Sequence, residues 1–180
     1  MVALVLCPGY HPPAFTAAFA QGLGLEPQGW LASPAPQLPP YSGAALCEFL
    51  RDRLGPPPQA PPLFLIAFSA GVVGAMTGRW LWQRQGGRVV ALAALDGWGV
   101  PDLGLGPLHR LSHDWLTHWS SALLGPGGVS FWAAPAVAHA DLWRSPQTVT
   151  GWCQERPGWR SPTTAAAFLR DRVTQYGGRF

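Results

Sequence analysis

The run Pro62 to Gly71, PLFLIAFSAG, constrains this chain more than any other stretch. Leu63 to Phe68 is unbroken apolar sequence, the pattern of a strand buried on both faces. Small and apolar residues follow from Ala70 to Met76, and the segment up to Gly86-Gly87 reads as a helix. Ser69 therefore falls where a central strand turns sharply into a helix. Its neighbours Ala67, Ala70 and Gly71 are small, as so crowded a turn requires. A serine there stands clear of the sheet. The Ala70 N–H and the helix N-terminus are aimed at any negative charge forming beside it.

The flanking sequence extends the same architecture. Val2 to Cys7 reads as a short buried strand, and Pro8-Gly9-Tyr10-His11-Pro12-Pro13 as a turn. Phe15, Ala18, Phe19 and Leu23 recur at helical spacing, with Gly24 to close the helix. Trp30 to Tyr41 is proline-rich and reads as a surface loop with a short strand near Trp30-Leu31. Ala45, Leu46, Phe49, Leu50 and Leu54 form the stripe of a second helix, and Val89 to Leu95 a further buried strand ending at Asp96. Ser112 is expected to cap a helix holding Trp115, Leu116, Trp119 and Leu123. Val129 to Ala133 reads as a last strand, and Pro146 and Pro162 as the first turns of two late helices. The expectation is one domain, residues 1–180. It is a three-layer α/β/α fold with a mostly parallel sheet of about five strands, near 2–7, 29–33, 62–68, 89–95 and 129–133.

Composition narrows the partners. Only 12% of the 180 residues are charged and 48% are apolar, which suits a well-filled core rather than disorder. The net charge is +3; every basic residue is Arg, scattered without a basic run, so nothing here reads as a nucleic-acid footprint. Cys7, Cys47 and Cys153 are odd in number and far apart, as expected of reduced thiols in a cytoplasmic protein. The apolar start is short and unpreceded by a basic residue, unlike a secretion signal, and no run reaches the roughly 18 apolar residues of a membrane span.

Ala67-Phe68-Ser69-Ala70-Gly71 resembles the nucleophile elbow of the α/β-hydrolases, G-x-S-x-G, in an A-x-S-x-G form. The length is similar to that of the small lidless bacterial lipases. The segment from Asp96 through HRLSHDWLTHWSSALLG also resembles uncharacterised cyanobacterial hydrolase-like proteins, a likeness that names no activity. The resemblance implies a minimal α/β-hydrolase fold and a serine hydrolase without cofactor or metal. It implies as substrate an ester or thioester with a hydrophobic acyl part.

A serine hydroxyl needs a base, a carboxylate to orient the base, and N–H donors for the oxyanion. In the family one donor follows the nucleophile, here Ala70, and another comes from an early loop, here Tyr10 or His11. Asp96 is the leading carboxylate because it ends the strand after the elbow strand; Asp114 and Asp141 are its reserves. His139 follows the last expected strand, where the family places its histidine, and His113 is its rival as base. His109, His113 and His118 invite a metal reading, but a helix boundary near Ser112 argues against it. Of the many tryptophans most are expected in the core, with Trp98 nearest the site as a wall for a hydrophobic ligand. The rival expectation is a non-catalytic protein that binds a partner through the same pocket or a Trp-rich surface.

Overall fold

The computed structural model describes residues 2–35 and 37–178. In chain order the elements are β1 (Ala3–Cys7), α1 (Pro13–Gly22), β2 (Trp30–Ala32), α2 (Gly43–Leu54), β3 (Leu63–Phe68), α3 (Ala70–Arg84) and β4 (Val89–Leu95). Then follow β5 (Leu108–Ser112), α4 (Trp115–Ala122), β6 (Ser130–Ala133), α5 (His139–Arg144), β7 (Thr150–Arg156), β8 (Trp159–Thr164) and α6 (Ala165–Gln175). The strands form a single sheet in the order β2-β1-β3-β4-β5-β6-β7-β8. Pairings from β2 to β6 are parallel, and β7 and β8 are antiparallel.

Alternation along the strands sends side chains to two faces. Leu4, Leu6, Phe64, Ile66, Phe68, Ala93 and Leu95 pack with α1, α5 and α6. Val5, Cys7, Leu65, Ala67, Leu92 and Ala94 pack with α2 and α3. All six residues of β3 are buried, which explains its unbroken apolar run. Each fully buried Leu or Phe contributes about 1.5–3 kcal/mol. β3 is thus among the strongest anchors of the fold.

Among the described residues, eight strands replace the expected five. β5 reads L-H-R-L-S and buries His109, Arg110 and Ser112, so it lacks an apolar signature. β7 and β8 form a hairpin around Pro157-Gly158, with Gly158 at φ 81°. Pro162 lies in β8, an edge strand, where proline forfeits no ladder bond, and does not open a helix. Pro146 stands in a turn after α5, not in a helix. Ser112 ends β5; the cap of α4 is Asp114, whose side chain accepts from Thr117 N. The three cysteines are free and buried, and burial pushes the Cys7 thiol up to about 12. No helix among the described residues is long and apolar enough to cross a membrane.

Candidate active site

From β1 the chain goes to β2 on one side and then to β3 on the other, so the strand order reverses between β1 and β3. In open parallel sheets such a switch point leaves a crevice at the carboxyl ends of the strands. Ser69 stands at that end of β3, and Gly9 at that end of β1. Lateral register carries the alignment onward: Ser69 N–H donates to Leu95 O at 2.9 Å, and Asp96 N–H to Leu111 O at 2.8 Å. Ser69, Asp96 and the end of β5 thus stand side by side.

Ser69 has φ 54° and ψ −123°, and Asp96 has φ 51°. A left-handed backbone at a non-glycine residue costs on the order of 1–3 kcal/mol and persists only where surrounding packing holds it. That packing is visible. A Cβ at Gly71 would lie 2.1 Å from Cys7 O, and one at Gly9 would lie 3.1 Å from the Ser69 Cβ. The β1 loop and the elbow therefore press backbone against backbone. Gly97 is equally enclosed, since its Cβ would lie 2.5 Å from Val72.

One cavity of ≈ 420 Å³ is lined by Ser69, Ala70, Asp96, Trp98, His113 and His139, together with Val73, Val100 and Thr117. The Asp96 side chain is only 2% exposed. Its Oδ1 accepts from the His113 backbone N–H at 2.9 Å, and its Oδ2 meets two imidazoles. His139 Nδ1 lies 2.7 Å and His113 Nδ1 2.9 Å from that oxygen. The carboxylate therefore serves the histidines and not the glycine turn that follows it. His113 Nε2 lies 3.1 Å from Asp114 Oδ2, so His113 has a carboxylate on each side. The Thr117 backbone N–H holds the Asp114 carboxyl below its usual range.

His139 begins α5, and its ring stacks on Phe68, the residue before Ser69, at 4.6 Å between centroids. Its Nε2 has no hydrogen-bond partner among the described residues, and neither has the Ser69 hydroxyl. The backbone N–H groups of Tyr10, His11 and Ala70 also lack protein acceptors among these residues. Tyr10 and His11 do not line the cavity. The His11 ring turns toward Phe15, Phe68 and Trp143, and burial pushes its pKa down.

The histidines of the discarded metal reading disperse. His109 lies on β5 between Val129 O and the Tyr176 hydroxyl, and His118 is buried under α4 against Trp132. Burial lowers both to about 4. Asp141 lies on α5 and pairs with Arg144, outside the cavity. Of the tryptophans, most of which are expected in the core, Trp82, Trp132 and Trp143 are buried, but Trp80, Trp115, Trp119 and Trp159 are exposed, as is Trp98, which lines the cavity.

Two arginines that look scattered in sequence shape the cavity rim. Arg79 donates to Leu105 O and Pro107 O, and Arg110 to Val100 O and Gly125 O. Both are buried, which pushes their pKa down. They tie down the loop carrying Trp98 and Val100. Only an arginine between two predicted apolar elements hints at this in the sequence. No protein-family model matches this chain, and no curated protein matches it.

Proposed function

We propose that the protein is a serine hydrolase of the α/β-hydrolase type, cleaving an ester or thioester with a hydrophobic acyl part. One observation carries this reading. Ser69, held at φ 54° in a strand-to-helix turn, shares a cavity with a histidine whose Nδ1 is held by a buried carboxylate. Ser69 Oγ attacks the carbonyl carbon while His139 Nε2 accepts its proton. Asp96 stabilises the imidazolium, which then protonates the leaving group. Water, deprotonated by the same nitrogen, releases the acyl group. The Ala70 N–H and a Tyr10 or His11 N–H stabilise the oxyanion, each such donor contributing about 2.7–4 kcal/mol. Val73, Trp98 and Val100 supply an apolar wall for the acyl part.

His139 is favoured over His113 as base because its Nε2 is free, whereas both nitrogens of His113 face carboxylates. The Ser69–His139 hydrogen bond is unmade here, and such bonds commonly tighten only with substrate bound. The same open bond, with Trp98, Trp115 and Trp119 exposed, favours the second reading of a non-catalytic binder. Fluorophosphonate labelling read by intact mass separates them. A single adduct is expected on wild type, lost in Ser69→Ala and in His139→Ala. No adduct at pH 7 or pH 9 overturns the hydrolase reading in favour of the binder.

A further inference from the structure

The geometry points to a second use of this cavity: Asp96, His113 and His139 form a binding site for a divalent transition-metal ion, and its occupancy switches the serine chemistry off. The metal site stands on the side chains alone. The switch rests on the hydrolase reading above.

A Ser-His-Asp triad employs one histidine. Here two imidazoles converge on one carboxylate oxygen, at 2.7 and 2.9 Å, and the second has no task in the triad. One donor atom from each of the three residues lies within 4.8 Å of the others. Two imidazoles and a carboxylate suit zinc with an open fourth position, and imidazole favours Zn²⁺, Cu²⁺ or Ni²⁺ over Mg²⁺ or Ca²⁺. Tetrahedral ligands about 2.0–2.1 Å from zinc stand roughly 3.3 Å apart, so the cluster opens by about half an ångström to admit the ion.

The surroundings already resemble an outer shell. The His113 backbone N–H holds Oδ1 of Asp96, which leaves Oδ2 as the donor. Asp114 Oδ2 lies behind His113 Nε2, the place where metal-bound histidines commonly find a carboxylate. Asp114 is itself fixed, because Oδ1 caps α4. The His113 and His139 side chains are 24% and 47% exposed, so an ion reaches them through the cavity.

Metal and triad exclude each other. A metal on His139 Nδ1 takes that nitrogen's lone pair, and the neutral ring then carries its proton on Nε2. Nε2 is the atom that must accept the Ser69 proton. A metal-bound His139 presents N–H where the reaction needs a lone pair, and Asp96 no longer supports an imidazolium.

Isothermal titration of EDTA-stripped, dialysed protein with Zn²⁺ tests the site. One Zn²⁺ per chain is expected for wild type and for Ser69→Ala. His113→Ala should bind at least ~10-fold more weakly, and Asp114→Asn on the order of 10-fold more weakly. The asparagine keeps the α4 cap, so its loss of affinity does not reflect unfolding. No Zn²⁺ heat, or equal binding by wild type and these last two variants, overturns the site. Fluorophosphonate labelling of wild type should proceed in EDTA, stop in excess Zn²⁺, and return with EDTA. Labelling that persists with Zn²⁺ bound, or that demands Zn²⁺, overturns the switch. Labelling absent under every condition overturns the hydrolase reading and the switch together, while Zn²⁺ binding by Ser69→Ala still decides the site.

Discussion

The chain through α3 and the chain from β5 onward build the same sheet by opposite means. In the first part the strands are apolar and glycines admit close backbone approach. A Cβ at Gly74, for example, would lie 2.1 Å from Pro40 O. In the second, β5 buries a histidine, an arginine and a serine, and carbonyl and hydroxyl partners satisfy the first two. The position of Ser69 is thus set by steric packing, and that of Asp96 and its two histidines by polar partners. Steric packing tolerates changes of pH and is intolerant of added volume. Polar partnership has the reverse sensitivities.

The sharpest break of the polar side is Asp96→Asn. Asparagine tolerates the left-handed backbone at φ 51°, so the fold persists. Loss of the carboxylate should lower kcat on a p-nitrophenyl acyl ester by about 10⁴-fold, because the amide holds the histidine in the wrong tautomer and leaves its imidazolium unstabilised. Unchanged turnover would remove Asp96 from the mechanism. The matching break of the steric side is Gly71→Ala. Its Cβ meets backbone atoms of Cys7 and Pro8, so about 3 kcal/mol of stability should be lost, read from urea midpoints.

Acid should separate the two parts further. The unfolded chain protonates a histidine near the model-peptide value of 6.5, whereas buried His109 and His118 stay neutral down to about 4. Between those values the unfolded state binds more protons. Stability is therefore full above pH 6.5 and falls toward pH 4, by about 1.4 kcal/mol per pH unit for each histidine. Replacing His118, stacked on Trp132, with Phe should roughly halve that slope; an unaltered slope assigns the acid sensitivity elsewhere. The smallest effect sharpens the contrast at Ser69. Ser69→Gly relieves a strained φ and should raise stability by about 1 kcal/mol while abolishing labelling. A destabilised Ser69→Gly variant would mean that the backbone entropy glycine adds to the unfolded chain outweighs the strain it relieves at φ 54°.

Legibility followed the same division. β1, β3, β4 and the face of α2 were readable because each carries its own apolar pattern. The position of Ser69 was readable because small residues flank it at a strand's end. β5 was not, since its burial depends on Val129, Tyr176, Gly125 and Val100, all distant in sequence. The β7–β8 hairpin had a local sign in Pro157-Gly158, but Pro162 pointed toward a helix. Asp96, His139 and its rival His113 were singled out in the sequence, yet the meeting of both imidazoles on one Asp96 oxygen was not visible.

By itself the sequence determined a parallel α/β core with a serine at a strand-to-helix turn. Apolar runs and small residues are local properties, and they act wherever the chain places them. Only the tertiary structure decided which histidine keeps a free nitrogen, that Asp96 serves two imidazoles, and that Arg79 and Arg110 hold the cavity rim. Those outcomes depend on distances between β4, β5, α3 and α5, and such distances exist only once the sheet has formed in its final order.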